Sequence, residues 1–223
     1  MERAALQTFD IVAVVSERDR ARLPRSGAQI VVCPNGWEPQ PPLPPSRDPT
    51  VAFVALMGWR PNADAAVWLA REVWPLVLAR APVARLLLVG RDPTPAVQAL
   101  AAPTVEVTGA VPDVRAYLAR ALVATAPLRA GGGSRLKIIE ALGAARPVVA
   151  TRVGAEGLED LVGQGVVVAD RPRELADALV DLLLDPAAAA ALGQRGYAAV
   201  SERYSWSRTL QPLYELLDAR APA

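Results

Sequence analysis

The chain has 223 residues, and its 24 basic side chains are nearly balanced by 23 acidic ones, which argues against a nucleic-acid partner because such partners need a basic surface. A single cysteine excludes an internal disulfide framework and any multi-cysteine zinc site. Histidine is absent, which removes the commonest general base and metal ligand, so no metal site is expected.

The N-terminal part is predicted to form a strand, a helix and a second strand. The strand candidates are DIVAVVS and QIVVCP, and ERDRARL lies between them. Such a piece cannot cover both faces of a sheet alone, so residues 1–36 are predicted to be the tail of another lobe. The proline-dense residues 37–49 predict an extended, semi-rigid hinge.

Residues 50–205 alternate between β-branched runs and amphipathic runs rich in alanine and leucine. The strand candidates are VAFVALMG, RLLLVG, TVEVTG, ALVATAP, RPVVAT and GVVVAD. Several are apolar throughout, which is typical of strands covered on both faces. The alternation predicts an α/β fold with a doubly wound parallel sheet, that is, a Rossmann-like lobe.

Residues 206–223 contain the last predicted helix, SWSRTLQPLYELLDA. One face of this helix carries an apolar stripe, formed by Trp206, Leu210, Leu213, Tyr214 and Leu217. The stripe has two candidate partners: its own lobe, or the lobe to which residues 1–36 belong.

A glycine run, GGGSRLKIIE, follows the strand candidate ALVATAP after the three residues LRA. Ligands of open α/β sheets bind at the carboxyl ends of the strands. A helix starting near Gly133 or Ser134 would present unpaired N–H groups and a positive dipole end there. Glycines allow an anion to approach the backbone, and two cationic side chains follow. The run therefore predicts a diphosphate cradle made of Gly131, Gly132, Gly133, Ser134, Arg135 and Lys137; the alternative is a turn capped by Ser134 with both cations solvated.

Glu140 lies one helical turn beyond Lys137 and shares its face. The simpler interpretation is a salt bridge between the two, worth about 0.3 kcal/mol. The functional interpretation rests on length, because Gly133 and Glu140 are separated by roughly 10 Å of helix. That is about the span from a pyrophosphate to the ribose of one nucleotide, so the carboxylate could accept two ribose hydroxyls.

These motifs resemble a known family. GGGSRLKIIEALGAARPVVATRVGAEGL closely resembles the donor-binding half of family 4 type glycosyltransferases, which have the two-lobe GT-B fold. VAFVALMGWRPNADAAVWLAREVWPLV and TVEVTGAVPDVRAYLARA resemble other parts of that lobe, and VVSERDRARLPRSGAQIVVCPNGWEP resembles the end of the acceptor lobe and the hinge. The resemblance implies transfer of a sugar from a nucleotide-diphosphate donor to an acceptor hydroxyl, with retention and without a bound metal or cofactor.

The resemblance also implies roles for individual residues. Arg135 and Lys137 would neutralise the phosphates as the catalytic cations, while Gly132, Gly133 and Ser134 would offer N–H groups. Glu140 matches the ribose-binding glutamate. Two further sets match loops beside the donor and the base, with a plain tight turn as the alternative for each: Gly58, Trp59 and Arg60, then Gly109, Ala110 and Val111.

Some positions depart from the family pattern. Gly132 stands where the first glutamate of the family's pair is expected, and Trp59 and Pro61 stand where an arginine and a lysine are expected. Arg60, which lies between these two positions, is a candidate to supply part of the positive charge of the expected arginine and lysine. The absent carboxylate keeps a second function open, a non-catalytic module that binds a nucleotide or another anion.

The resemblance finally implies that the chain is a fragment, a donor lobe plus its hinge. The expected partners are a nucleotide sugar, the missing N-terminal lobe, and an acceptor that is a saccharide, a lipid-linked molecule or a small molecule. Alone, the fragment is expected to bind the donor without turnover. The expected location is the cytoplasm, with the missing lobe as the route to any contact with the inner membrane face.

Overall fold

A computed structural model describes residues 6–131 and 135–219. The N-terminal part holds two parallel strands, β1 (Ile11–Val14) and β2 (Gln29–Val32), joined by helix α1 (Glu17–Arg22). Ser16 caps this helix, because its hydroxyl accepts the N–H of Asp19. The predicted strand–helix–strand order is confirmed.

The main sheet has six parallel strands in the order β5-β4-β3-β6-β7-β8. They are β3 (Thr50–Val54), β4 (Arg85–Val89), β5 (Val105–Gly109), β6 (Val123–Ala126), β7 (Val148–Ala150) and β8 (Val166–Val168). All six predicted strands and the predicted fold class are confirmed. The order reverses between β3 and β6, which opens a crevice at their carboxyl ends.

Helices separate the strands along the chain. They are α2 (Arg60–Trp68) and α3 (Trp74–Leu78), joined by a π turn at Leu69–Val73, then α4 (Pro95–Gln98), α5 (Val114–Arg120), α6 (Leu136–Gly143) and α7 (Pro172–Leu184), with a 3-10 turn at Glu159–Leu161. The chain continues through α8 (Pro186–Arg203), α9 (Trp206–Thr209) and α10 (Gln211–Asp218). None of the helices in the described ranges is both long and apolar enough to cross a bilayer.

Both faces of the sheet are covered, because successive side chains of β3 point alternately into two different cores. Val51 and Phe53 point into one core, together with Trp74 from α3. Ala52 points into the other core, together with Ile138 from α6. The two cores explain why the strands are apolar throughout, since neither face meets water.

The proline-dense connector lies against the main lobe. The Trp37 indole sits so close to Gly143 of α6 that a Cβ there would be 2.5 Å from the ring. Further along, the buried Arg146 guanidinium donates to the carbonyl oxygens of Pro44 and Leu118, both at 2.8 Å. These contacts attach the connector to α5 and α6 and thereby limit how it can move.

Two predicted helix boundaries are wrong. Helix α6 begins at Leu136 with Arg135 as its N-cap, whereas the sequence placed the start near Gly133 or Ser134. The predicted last helix is two short ones, α9 and α10, which meet at Leu210. Pro212 causes this break, because proline donates no N–H and its ring clashes with the preceding turn.

The predicted apolar stripe is covered only in part. Trp206, Tyr214 and Leu217 are 41%, 55% and 48% exposed, respectively. Helix α10 contacts strand β2 of the N-terminal part. The C-terminal segment thus reaches the piece that was assigned to the other lobe.

Candidate functional site at the sheet crevice

The loops that follow β3 and β6 meet at the crevice. Gly131, after β6, has φ +114°, and a Cβ on it would lie 3.0 Å from the Trp59 ring and 3.3 Å from Pro61. Glycine is needed here for both conformation and close approach. The fold therefore brings the start of the glycine run against the turn that follows β3.

The turn after β3 is also closely packed. A Cβ on Gly58 would lie 2.9 Å from the carbonyl oxygen of Asp92, in the loop after β4. Trp59 follows, 41% exposed, and precedes the first residue of α2, Arg60, whose side chain is also exposed. These three predicted residues thus lie at the N-terminal end of α2, on the rim of the crevice.

Lys137 reaches from α6 across the crevice to α2. Its Nζ donates to Oδ1 of Asn62 at 2.7 Å and lies 5.1 Å from the centre of the Phe53 ring. Asn62 is buried, and its Nδ2 donates to the carbonyl oxygen of Leu56 at 2.8 Å. The Lys137 side chain therefore links α6 to α2 across the crevice, at the point where the strand order reverses.

Burial, together with the nearby Arg135 guanidinium, lowers the pKa of Lys137 to about 8, and the Glu140 carboxylate opposes this shift. The ammonium therefore still predominates in the free protein at pH 7, but it is lost as the pH rises through about 8. A bound diphosphate would stabilise it, because an opposite charge nearby favours the charged form.

Arg135, the N-cap of α6, is held by protein groups. Its side chain is 2% exposed, and Nη2 lies 3.1 Å from the Gly131 carbonyl oxygen and 3.3 Å from Oε2 of Glu156. The carboxylate of Glu156 also contacts Arg18 of α1. Glu156 therefore joins the loop before α6 to the N-terminal part of the chain.

Sequence reasoning missed Asn62 and Glu156. Both lie inside segments that carried the family resemblance: in GWRPNADA only Gly58, Trp59 and Arg60 were assigned, and in RVGAEGL no residue was. A further signal was overlooked: Lys137 is the only lysine of the chain.

Glu140 lies one helical turn beyond Lys137 on α6. Among the described residues no ion pair joins the two, and the Lys137 ammonium donates to Asn62. Desolvation of the carboxylate raises the pKa of Glu140, although the residue as a whole is exposed, and the Lys137 charge opposes this rise. Glu140 opens onto a cavity of about 220 Å³, whose lining also includes Trp37, Gln40, Asp113, Arg115 and Leu118.

The loop after β5 reaches the same cavity. Gly109 ends the strand with φ +70°, a conformation that favours glycine, and Val111 packs against the core beneath α6. Asp113 caps α5 by accepting the Arg115 N–H at 2.8 Å. Residues Gly132, Gly133 and Ser134 lie outside the described residues, so their roles stay predictions, as do those of the other candidate residues.

The lowered pKa of Lys137 predicts that stability and anion binding change in opposite directions as the pH rises. The unfolded chain holds the lysine proton up to its ordinary value of 10.5, whereas the folded free protein releases it near pH 8. Between these values the unfolded state binds more protons, so the wild type should gain stability as pH rises, relative to Lys137→Met. Nucleoside-diphosphate affinity should fall over the same window, by up to about tenfold per pH unit.

Thermal melts from pH 7 to 10 of both proteins, and titrations of the wild type with UDP, measure the two trends. A melting difference between wild type and Lys137→Met that stays constant with pH would contradict a depressed lysine pKa.

Comparison with solved structures places the fold in a class. Sucrose-phosphate synthase from Thermosynechococcus elongatus is 26% identical, with a TM-score of 0.76, and the match covers 99% of this chain and 61% of that protein. TarM from S. aureus is 17% identical, with a TM-score of 0.80 and coverage of 96% and 46%. HepE from Anabaena, solved with UDP and glucose, is 20% identical, with a TM-score of 0.74 and coverage of 97% and 66%. The fold is that of a Rossmann-like GT-B lobe, and the chain spans less than two thirds of each of these proteins.

A family model then gives the finer assignment. The model for glycosyl transferases group 1 matches residues 48–185, which is more than half of the chain. The chain belongs to this glycosyltransferase family. A search of curated protein sequences finds no match.

Proposed function

We propose that this chain is the donor-binding part of a glycosyltransferase of the family 4 type. It binds a nucleotide-diphosphate sugar in the crevice between β3 and β6, and together with the missing lobe it transfers the sugar to an acceptor hydroxyl. The observation that carries the proposal is the position of Lys137, whose ammonium stands where the Gly58 turn, the Gly131 loop and the start of α6 meet.

The diphosphate is proposed to lie over this crevice. Lys137 supplies a cation that no carboxylate of the described residues pairs within ion-pair distance, so its charge is available to phosphate oxygens. Arg135 adds positive charge, and its Nη2 donates to the carbonyl oxygen of Gly131. The N–H groups at the start of α6 complete an anion site of a kind common at helix N-termini.

The nucleoside is proposed to extend from the diphosphate toward Glu140. The glutamate carboxylate accepts ribose hydroxyls, and the base lies beside Gly109 and Val111, next to the cavity of about 220 Å³. The structures of HepE with UDP-glucose and of TarM with UDP support a uridine nucleotide as the first donor to test.

The reaction breaks the bond between the anomeric carbon and the diphosphate oxygen and forms a bond from that carbon to the acceptor oxygen. The acceptor proton is released, and the diphosphate leaves as an anion. Positive groups that are already positioned beside the leaving diphosphate oxygen lower the barrier, because they do not have to reorganise as negative charge develops on that oxygen. We propose that Lys137 and the start of α6 act in this way, with retention at the anomeric carbon and without a metal or cofactor.

A non-catalytic anion-binding module is the second candidate. It is favoured by Gly132, which leaves no carboxylate at that position for the donor sugar. Both candidates predict nucleotide binding, so turnover by the longer protein separates them. Measurable glycosyl transfer by this chain alone would contradict the proposal that it is an inactive fragment.

Thermal shift with UDP, GDP, ADP and their sugars tests the proposal. A ligand that binds only the folded state stabilises it by mass action, by about 2.7 kcal/mol at a hundredfold excess over Kd. One nucleotide should raise the melting temperature well above the others. If none does, the donor-binding assignment is wrong.

Replacing Glu140 should weaken nucleoside binding and leave diphosphate binding intact. Glu140→Gln removes the acceptor charge for ribose hydroxyls, so UDP affinity should fall about tenfold, a loss of one charged hydrogen bond. Inorganic pyrophosphate should bind as before, because Lys137 is untouched. Calorimetry with both ligands measures this; equal losses for both would place Glu140 outside the ribose site.

A further inference from the structure

We propose that Asn62 is the positioning residue for Lys137, holding its ammonium in the crevice without neutralising it. This inference rests on the proposed function, since it concerns the cation that would meet the diphosphate. Nothing in the family resemblance assigned a role to Asn62.

The geometry shows an amide that is itself immobilised. Asn62 is 4% exposed, its Nδ2 donates to Leu56 O at 2.8 Å, and its backbone N–H donates to Trp59 O at 2.9 Å. Its remaining acceptor, Oδ1, receives the Lys137 ammonium at 2.7 Å. Because Leu56 and Trp59 flank Gly58, the asparagine links the turn beside the crevice to the lysine.

The side chain suits this role chemically. An ammonium only donates, so the amide must present its oxygen to Lys137 and its NH₂ to the carbonyl, as observed. A lysine side chain has about 2 kcal/mol of rotamer entropy, and a fixed acceptor removes the need to order it when the ligand binds. A carboxylate in the same place would form an ion pair with the Lys137 ammonium and repel phosphate oxygens.

The surroundings of Lys137 leave Asn62 as its close polar partner from across the crevice. The charged groups that act on the ammonium are Arg135 and Glu140, which lie on its own side of the crevice. From the other elements packed against it, α2 contributes Asn62 and β3 contributes Phe53, and neither is charged. A substitution of Asn62 should therefore directly change the titration of Lys137.

Because Lys137 is the only lysine, its signal has to be separated only from that of the N-terminal amine, and Lys137→Met serves as the reference for this. Reductive methylation with ¹³C-formaldehyde labels this side chain and the N-terminal amine, and carbon NMR from pH 6 to 11 follows its titration. The proteins compared are the wild type, Asn62→Asp, Asn62→Leu and the control Asp64→Asn. Asp64 lies on the same helix and pairs with Arg129 instead of Lys137. Affinities for UDP, GDP and ADP are measured on unmethylated protein.

We expect Asn62→Asp to raise the pKa of Lys137 and yet lower nucleoside-diphosphate affinity about tenfold, because the new carboxylate competes with phosphate. Asn62→Leu should lower both the pKa and the affinity, since it removes a hydrogen bond to the charged form. Asp64→Asn should change neither. If Asn62→Leu fails to fold, the near-isosteric aspartate variant decides.

The inference is overturned if the lysine titrates at the wild-type value in the folded variants, or if Asn62→Asp binds the nucleotides as tightly as the wild type. If the titration shifts as expected but no nucleotide binds the wild type, Asn62 positions Lys137 and only the proposed function fails.

Discussion

The double variant Arg135→Ala, Lys137→Ala should lose measurable binding of nucleoside diphosphates. Hydrogen bonds to charged groups contribute about 1.5–3 kcal/mol each, so losing two such contributions weakens binding at least about a hundredfold. Calorimetry with UDP, GDP and ADP measures the loss. Lys137→Ala alone should account for most of it, because Lys137 faces a neutral amide while Arg135 is held by Glu156.

The matched control removes the same charge elsewhere on the lobe. Arg129 and Arg152 are exposed residues of the loops after β6 and β7 and pair with Asp64 and Asp170. Their double alanine variant should bind nucleotides within about threefold of the wild type, since exposed charges are screened. Unchanged affinity in the Arg135–Lys137 variant would reject the assignment of these cations to the diphosphate.

Arg146→Leu should cost about 3 kcal/mol of unfolding free energy, the largest stability effect we expect from one substitution. Arg146 is 2% exposed, and burial, together with the nearby Arg115, lowers the pKa of its guanidinium to about 10. It donates to the carbonyl oxygens of Leu118 and Pro44, both at 2.8 Å. Leucine would leave these acceptors without that donor and detach the connector from the lobe.

Urea unfolding measures this loss, and limited proteolysis within residues 37–49 reports whether the connector is released. Arg80→Met is the control, because Arg80 forms an exposed ion pair with Asp177 and should contribute less than about 1 kcal/mol. Equal unfolding midpoints for wild type and Arg146→Leu would show that the connector is held by other contacts, such as Trp37 on Gly143.

The strands were predictable because the residue pattern of each strand depends on whether its two faces are buried. The LLLV part of β4 and the VVA of β7 are apolar on both faces, which is typical of strands in a covered parallel sheet. The helix boundaries were less predictable. The start of α6 has no local signal, because its N-cap Arg135 makes no side-chain capping hydrogen bond. The break at Leu210 depends on Pro212, which the prediction from apolar spacing did not take into account.

The candidate site was predictable in part for a related reason. Gly58, Gly131, Lys137 and Glu140 follow strand candidates or lie on the first helix after one, so topology alone places them toward the ligand-binding edge. Their partners were not predictable. Lys137 and Asn62 are 75 positions apart, and no local pattern indicates that an asparagine on α2 will face a lysine on α6.

The sequence by itself determined the class of fold, the alternation of strands and helices, and the position of a cationic, glycine-rich segment after β6, because hydrophobic period and chain order are local properties. Only the tertiary structure decided which groups the cations meet. It gave Lys137 a neutral partner, gave Arg135 the carboxylate of Glu156, and fastened the connector to Arg146. Each of these pairings depends on which side chains the folded sheet buries together.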